Sequence, residues 1–508
     1  MLSFPVTRGI RGAITVEANK EAAITSAACR LIQTMIAANQ VDVEGITCII
    51  FSVTQDLDAC FPAAGARRAG LTEIPLFCTT EIPVPGSLPR CIRALMLVTT
   101  NRQLRDMRHI YLGEAAGLRP DWAASVMVEE EDGGSLSECR DAKADPCPAF
   151  RRTILDIAPY QPGKPISELE RERGLTDIIK MASNENPLGP SPKAIEALRQ
   201  SLSSLHIYPD GSCFELRQAL ARRLDVEDVQ LIFGNGSDEV IKMLGLAFLE
   251  PDDEVLFCEP TFSEYAYTAH LMGARIRALP LADHAYDLEA MALAINPKTK
   301  IVFVCNPNNP TGAYVSKDKV EAFLARVPRD VLVVFDEAYY EYVTAPDYPD
   351  TISYVKEGRN VVVLRTFSKI YGLAGLRIGY GIAPIHLAEL VHRVREPFNV
   401  NTSAQIGALA ALEDDEHVKA SQDLNNSGKA WLYKELSRLN LEYVPTETNF
   451  IFFNLEQDSQ VIYEKLLDQG VITRSGGIFG CPTWLRVTIG TEAQNHRFIH
   501  ALEKALHS

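Results

Sequence analysis

Short hydrophobic runs, each ending on a polar or glycine-rich stretch, recur along the last two thirds of the chain. They predict strands at residues 229–233, 254–258, 301–305, 331–335 and 361–364. The runs are continuous rather than alternating, which is typical of parallel strands buried on both faces. Apolar residues at helical spacing predict intervening helices at 237–249 and 262–272. From about residue 401 the pattern changes to helix, strand and helix, which predicts a smaller C-terminal lobe.

The chain before residue 128 shows a different order of elements. A glycine-containing strand pattern at 8–16 precedes helical spacing at 20–39, and apolar runs at 48–53, 74–78 and 95–99 predict three more strands. Residues 128–151 are polar, with an acidic run and two prolines, so they cannot bury a core. We therefore predict a small α/β domain of α+β character at 1–127, a linker at 128–151 and a large α/β domain at 152–508.

Composition narrows the functional classes. The formal net charge of −16 argues against a general nucleic-acid binder, which would carry a basic face. No apolar run reaches the ~18 residues that a membrane-spanning helix needs, and residues 1–12 show no apolar core of signal-peptide length. We therefore expect a cytoplasmic protein. The 11 cysteines include no Cys-x-x-Cys pair, so neither a zinc site nor a disulfide framework is expected.

Candidate chemistry begins in the segment 365–379, which follows the last predicted parallel strand. Lys369 is suited to forming a Schiff base with an aldehyde if a pocket lowers its pKa. Ser368 and Arg377 can hold a phosphate on the same molecule, and pyridoxal phosphate carries both groups. Taken alone, the segment is better interpreted as a solvated loop.

Four other clusters lie in or directly after predicted strands of the same domain. The loop 234–239 opens a helix, so its N–H groups can bind a phosphate or simply cap the helix. The turn 306–312 presents asparagine side chains. Asp336 ends a strand, where a carboxylate can pair with a pyridinium nitrogen or cap a helix. Arg486, in the strand 485–489, can clamp a carboxylate.

In this order, the five clusters resemble the fold-type-I aminotransferases that use pyridoxal phosphate. The segments 183–192 (SNENPLGPSP) and 208–211 (YPDG) are most similar to the histidinol-phosphate aminotransferase subfamily. The resemblance covers roughly residues 152–508. It implies a ping-pong transfer of nitrogen from an amino donor to a second substrate, with Lys369 moving the proton between the substrate carbon and the cofactor.

The resemblance also implies specific site residues. Lys369 would be the Schiff-base lysine, and Asp336 would contact the pyridine nitrogen. The other implied cofactor contacts are Gly236, Ser237, Ser368 and Arg377 for the phosphate, Asn309 and Tyr339 for the ring hydroxyl oxygen, Phe262 for stacking, and Tyr208 across a dimer interface. Arg486 would bind the anionic end of the substrate. Arg474 would bind a second anionic group or remain a solvated surface charge.

Several short motifs in the small domain contain arginines. By themselves these arginines are typical of solvated surface charge. Read in order, however, the motifs RGIRGA at 8–13, DLDACFPA at 56–63, CTTE at 78–81, RCIR at 90–93 and RHIYL at 108–112 resemble the trimeric α/β-type chorismate mutases. The similarity covers residues 6 to 122. The implied reaction is the one-step rearrangement of chorismate to prephenate, without a cofactor or metal.

The implied roles suit a dianionic substrate whose ether oxygen gains negative charge in the transition state. Arg93 would stabilise that oxygen, an electrostatic effect of roughly 3–4 kcal/mol. Arg11 and Tyr111 would hold the carboxylate end. The remaining implied contacts are Arg67 or Arg119 at the anion site, Glu81 and the Cys78 backbone at the ring hydroxyl, and Phe61 as a wall. Ala64 departs from the pattern, because family members often have a lysine there, so substrate affinity is expected to be weaker.

Three alternatives stay open at this point. The aminotransferase substrate is either histidinol phosphate or, because of the fused mutase, prephenate or an arylpyruvate. The large domain could be a decarboxylase of the phosphothreonine type, which shares the fold and the lysine. The small domain could be a non-catalytic sensor of prephenate or an aromatic ligand. Mutase relatives are trimers and aminotransferase relatives are dimers, so a homo-oligomer, up to a hexamer, is expected.

Overall fold

A computed structural model describes residues 6–39, 41, 43–82, 84, 87–100, 107–119, 151, 153, 157 and 163–507. The chain divides into two compact units, Met1–Cys147 and Pro148–Ser508. We call them the N-terminal unit and the C-terminal unit. Apart from residue 151, the predicted linker at 128–151 lies outside the described residues, so its boundaries remain predictions.

The N-terminal unit is a mixed five-stranded sheet with one long helix on it. Its elements are β1 (Val6–Thr15), α1 (Glu21–Asn39), β2 (Ile46–Val53), α2 (Ala63–Arg68), β3 (Leu76–Thr80), β4 (Cys91–Thr100) and β5 (Ile110–Leu112). The strand order is β3-β2-β4-β1-β5. Pairs β1–β5 and β2–β3 are parallel, and β4 runs antiparallel to β1 and β2. All the predicted strands are present, and the sequence pattern missed α2 and β5.

Only one face of this sheet packs against α1. Alternate strand residues such as Ile10, Phe51 and Met96 are buried with apolar side chains of that helix. A Cβ at Gly12 would lie 2.4 Å from the sulfur of Met35, so α1 can approach the sheet this closely only over a glycine. Alternate residues on the opposite face, including Leu95, are only half-buried.

The C-terminal unit is built on a seven-stranded sheet. Its first elements are α3 (Ile166–Arg173), β6 (Ile179–Lys180), α4 (Pro192–Ser201), α5 (Phe214–Leu224), β7 (Leu231–Gly234), α6 (Ser237–Phe248), β8 (Glu254–Glu259), α7 (Glu264–Met272), β9 (Arg275–Pro280), α8 (Leu288–Ala294), β10 (Thr299–Cys305), α9 (Lys317–Leu324), β11 (Leu332–Asp336), α10 (Thr351–Lys356), β12 (Val361–Thr366), β13 (Gly379–Ile382) and α11 (Ile385–His392). The strand order is β7-β13-β12-β11-β10-β8-β9.

The predicted parallel core is confirmed for β8, β10, β11 and β12, and β9 extends it by pairing in parallel with β8. The sequence pattern missed β9 and β13, and β13 runs antiparallel to both of its neighbours. The first predicted strand, at 229–233, begins later, at Leu231. The reason is that Asp228–Gln230 forms a 3₁₀ turn. A capping box closes its start, in which the side chains of Glu227 and Gln230 each accept a hydrogen bond from the other residue's main chain.

The C-terminal lobe contains α12 (Thr402–Leu412), α13 (Asp415–Arg438), β14 (Phe450–Asn454), α14 (Ser459–Asp468), β15 (Val471–Ile472), β16 (Arg474–Ser475), β17 (Trp484–Thr488) and α15 (Glu492–His507). Strands β14, β17 and β16 form an antiparallel sheet with its own apolar core, which includes Phe453 and Phe498. The short strand β15 pairs with β6, so the start of the unit runs beside this lobe. Within the described residues, no helix is long and apolar enough to cross a membrane.

Candidate active sites

The carboxyl ends of the central strands in the C-terminal unit bring the first site together. Asp336 is the last residue of β11, and Lys369 follows β12, its parallel neighbour. Asn309 follows β10 on the other side of β11. Open α/β sheets bind ligands at this edge because loops from adjacent strands converge there.

Lys369 lies in an environment that favours its neutral form. The ammonium is partly buried and donates a hydrogen bond to the Ser183 carbonyl oxygen at 3.4 Å. Burial, followed by the charge of Arg486, lowers the pKa of Lys369 to about 8. An amine with this pKa is available to react with an aldehyde at moderately alkaline pH.

Asp336 is a buried carboxylate in a site that suits a cationic partner. Its side chain accepts hydrogen bonds from the Tyr265 hydroxyl at 2.7 Å and from the Ala338 amide at 3.2 Å. Burial raises the pKa of Asp336 to about 6. A protonated pyridine nitrogen beside this carboxylate would supply the positive charge that the site lacks.

A cradle of hydrogen-bond donors forms where α6 begins. Gly236 has φ +87°, and a Cβ there would lie 2.6 Å from the Arg377 guanidinium. Arg377 pairs with Asp238 at 2.6 Å. Ser237 opens the helix, and Ser368 is buried. Free N–H groups at a helix start, hydroxyls and an arginine form a donor set that fits a phosphate.

The residues predicted to contact the cofactor ring each contact another residue of the site. The Lys369 amine lies 5.6 Å from the centre of the Tyr339 ring. Tyr339 is buried, and burial raises its pKa well above the ordinary value. Phe262 packs edge-on against Tyr265, with 5.8 Å between the ring centres. Arg486 donates a hydrogen bond to the side-chain oxygen of Asn309, which links β17 to this group. The geometry therefore fits pyridoxal phosphate.

Two arginines occupy paired positions in the lobe sheet. Arg474 on β16 is the register partner of Arg486 on β17. Directly opposed residues of antiparallel strands have side chains on the same face, and like charges in this arrangement repel. An anion between the two guanidinium groups would relieve that repulsion.

Tyr208, a predicted cofactor contact, is exposed on the surface of the single chain. Its side chain is 80% exposed and stacks on Phe398 with 4.9 Å between the ring centres. Its predicted role across a dimer interface therefore remains a prediction.

Sequence reasoning missed two residues that hold the site together. Tyr265 contacts Asp336, and its place in the first turn of α7, just after Phe262, was the signal available in the sequence. Asn184 donates a hydrogen bond to the Tyr339 hydroxyl at 2.9 Å. Asn184 lies in the SNENP motif, but no periodicity or charge pattern pointed to its partner.

The second site lies on the half-buried face of the N-terminal sheet. Ala13 is the register partner of Arg93 on β4 and of Tyr111 on β5, while Ser52 on β2 is opposite Arg93. This row places a small residue between the arginine and the tyrosine. Two residues before Ala13, Arg11 lies on the same face of the sheet.

Charge complementarity organises this second group. Arg93 forms an ion pair with Glu81, which also accepts a hydrogen bond from the Ser52 hydroxyl at 2.5 Å. Burial lowers the pKa of Arg93, and Tyr111 and Arg11 are close enough to influence it electrostatically. The Arg11 amide donates to the ring of His109, whose pKa is lowered by burial, Arg11 and Arg119. The structure thus brings together Arg11, Glu81, Arg93, Tyr111 and Arg119.

Two other predicted residues lie outside this group in the single chain. Phe61, just before α2, is 75% exposed, and the exposed guanidinium of Arg67 forms no ion pair with any residue that the structure describes. Cys78 is half-buried on β3, and its strand leads to Glu81. Phe61 and Arg67 can contribute to such a site only if a neighbouring subunit provides it.

Comparisons with known proteins assign families to both units. Residues 176–502 match the family model for aminotransferases of class I and II, and residues 7–122 match that for chorismate mutase type I. A histidinol-phosphate aminotransferase of Moorella thermoacetica is 54% identical over 379 residues, which make up 74% of this chain and 95% of that protein.

Solved structures give the same picture of the fold. The histidinol-phosphate aminotransferase of Sinorhizobium meliloti, in complex with pyridoxal-5'-phosphate, has a TM-score of 0.66 and 27% identity; the match covers 70% of this chain and 97% of that one. The L-threonine-O-3-phosphate decarboxylase of Porphyromonas gingivalis has a TM-score of 0.59 and 24% identity over 65% of this chain and all of that one. The second similarity concerns the fold alone.

Proposed function

Because the chain belongs to the class I and II aminotransferases and begins with a chorismate mutase type I domain, we propose that it joins two reactions. The N-terminal unit converts chorismate to prephenate, and the C-terminal unit transfers an amino group between histidinol phosphate and a 2-oxo acid. The predicted fusion and the predicted pyridoxal phosphate cofactor are both confirmed. The roles of individual residues and the substrate of the aminotransferase are our proposals.

Pyridoxal phosphate supplies an aldehyde that bonds to amines and a ring that withdraws electrons from the attached carbon. The chain's residues position and assist that chemistry. Gly236, Ser237, Ser368 and Arg377 hold the phosphate, and Asp336 keeps a proton on the ring nitrogen. Lys369, with its lowered pKa, carries the proton away from the substrate carbon and returns it at the neighbouring position.

The opposed pair Arg474 and Arg486 supports histidinol phosphate as the amino donor. The strand register places both side chains on one face of the lobe sheet, and Arg486 contacts Asn309 in the cofactor site. A phosphate ester carries up to two negative charges and can accept hydrogen bonds from both arginines. The 54% identity with a histidinol-phosphate aminotransferase favours the same substrate.

A second candidate substrate is prephenate or an arylpyruvate. The observation in its favour is the chorismate mutase domain on the same chain, because that domain releases prephenate. These 2-oxo acids carry carboxylates, which the same two arginines can bind. Both candidates use the same cofactor and the same lysine.

A panel of substrates offered to the purified protein decides between them. Histidinol phosphate with 2-oxoglutarate is compared with prephenate, phenylpyruvate and 4-hydroxyphenylpyruvate, each with glutamate. We expect the largest kcat/KM for histidinol phosphate. A larger value for prephenate would favour the second candidate, and release of carbon dioxide from phosphothreonine would favour the decarboxylase alternative.

In the N-terminal unit, we propose that Arg93 stabilises the ether oxygen as its bond breaks. Two observations support this role: Arg93 forms an ion pair with Glu81, and Ala13 is the register partner of both Arg93 and Tyr111. Arg11 and Tyr111 bind the carboxylate end. The sensor alternative requires binding without turnover, so a mutase assay of the purified protein tests it directly: absence of prephenate formation together with retained ligand binding would favour the sensor.

We further propose two kinds of subunit contact. The half-buried sheet face with Ile50, Leu95 and Leu97, together with the exposed Phe61, supports a trimer around the mutase domain. Around the exposed Tyr208, apolar side chains such as Ile207 support a dimer of the aminotransferase domain. A hexamer with three-fold and two-fold axes satisfies both.

A further inference from the structure

Three consecutive residues, Ala182, Ser183 and Asn184, contact three functional side chains. The Ala182 carbonyl accepts from Arg486 at 2.7 Å, and the Ser183 carbonyl accepts from Lys369 at 3.4 Å. Asn184 Nδ2 donates to the Tyr339 hydroxyl at 2.9 Å. Main-chain carbonyls serve the first two contacts, so any residue could provide them. The third depends on the asparagine side chain.

Asn184 is fixed in place by its surroundings. The residue is 2% exposed and has φ +57°. Its amide N–H donates to the Thr488 hydroxyl at 3.0 Å, and that hydroxyl donates to Asn184 Oδ1 at 3.2 Å. The Asn184 carbonyl accepts from Asn449 at 2.9 Å. Since the one proton of the Thr488 hydroxyl goes to Oδ1, the Nδ2 group must face Tyr339.

We propose that Asn184 is a positioning residue that directs the hydroxyl proton of Tyr339 towards the cofactor. This inference rests on the proposed function of the C-terminal unit. Because the Tyr339 oxygen accepts from Asn184, its own proton is left to be donated elsewhere. Given to the ring oxygen of pyridoxal phosphate, that proton stabilises the ionised oxygen and lowers the pKa of the lysine-bound cofactor.

The direction of the hydrogen bond between Asn184 and Tyr339 can be reversed by substitution. Asn184→Asp keeps the shape of the side chain but replaces its donor with a carboxylate, which can only accept when ionised. The Tyr339 proton would then turn to the carboxylate and away from the cofactor. Thr488→Val removes the hydroxyl that orients the amide, while Thr488→Ser retains it and serves as the matched control.

The test measures the absorbance of the bound cofactor as a function of pH in the purified holoenzyme. We expect Asn184→Asp to move the midpoint of this titration upward by about one pH unit or more, the size of one hydrogen bond to a charged group. Thr488→Val should shift it in the same direction by less, and Thr488→Ser should leave it in place. The aspartate variant also adds negative charge, so each variant is repeated with Tyr339→Phe.

With Tyr339→Phe as background, the shift should largely disappear, because the hydroxyl proton that Asn184 directs is absent. An equal shift with and without the Tyr339 hydroxyl would overturn the proposal, since charge alone would then explain it. The absence of any shift in the single variants would overturn it as well. If the unmodified protein showed no cofactor absorbance, the proposed function itself would fail, and this inference with it.

Discussion

At the residue scale, the sequence pointed to the proposed catalytic residues but not to the residues that position them. Asp336 and Lys369 each follow a hydrophobic run, and that order predicts functional residues at a strand end. Asn184 could not be assigned in this way, because its partners Tyr339 and Thr488 are 155 and 304 residues away in the chain. Local patterns carry no information about contacts at such separations.

The lowered pKa of Lys369 predicts how fast the cofactor-free protein takes up pyridoxal phosphate at different pH values. Only the neutral amine reacts, so the rate should rise about tenfold from pH 7 to pH 9 and then level off, as expected for a pKa of about 8. Stopped-flow absorbance measures this rate. A rate that kept rising beyond pH 10 would show that Lys369 titrates near its ordinary value, and Lys369→Ala should lack the phase altogether.

At the scale of elements, the parallel strands were predictable and β13 was not. Its sequence, GYGI, contains two glycines that hide a strand pattern. The structure explains one of them, because a Cβ at Gly379 would lie 2.3 Å from the Ser237 amide nitrogen. Glycine at this position lets the phosphate cradle lie against β13, and the absence of a side chain there weakens the hydrophobic pattern of the strand.

The start of α6 yields a second prediction. Gly236→Ala should weaken the binding of pyridoxal phosphate by at least tenfold, because the new methyl group displaces Arg377 and strains a backbone with positive φ. Gly358→Ala is the matched control, since Gly358 has φ +73° with open space around it. Titration of the cofactor-free variants with pyridoxal phosphate measures both. Equal weakening in the two variants would mean that backbone strain alone is responsible.

At the scale of the whole molecule, the sequence predicted two kinds of chemistry on one chain. The two groups of site residues fall in different units, with Arg93 in the first and Lys369 in the second. Exposed residues such as Phe61 and Tyr208 gave no local clue to their surroundings, because the contacts proposed for them involve other subunits. Family resemblance supplied that part of the interpretation.

The separation of the sites predicts independent losses of activity. Lys369→Ala should abolish transamination and the absorbance of the bound cofactor while mutase turnover stays unchanged. Arg93→Ala should lower mutase kcat by a factor of a few hundred or more, as loss of one charge-stabilising group does, and leave transamination intact. Both activities are assayed on each full-length variant. A parallel loss of both activities in either variant would contradict the two-site model.

The proposed assembly predicts the mass of the particle in solution. Light scattering of the purified protein should give the mass of six chains. Substituting Tyr208 and Ile207 with serine should reduce the particle to trimers that retain mutase activity. A stable dimer with full mutase activity would contradict the assembly, because Phe61 and Arg67 would then have no trimer partner to contact.

The hydrogen bonds between Asn184 and Thr488 also bear on how the enzyme matures. During synthesis, the segment 182–184 leaves the ribosome some 300 residues before β17, the strand that carries Thr488. Loops of that length close slowly relative to local helices. The aminotransferase site therefore forms only after β17 has been translated, and a nascent chain that stops short of β17 has no fixed position for Tyr339. The described strands of the mutase domain end at Leu112, so that domain can fold long before β17 is made.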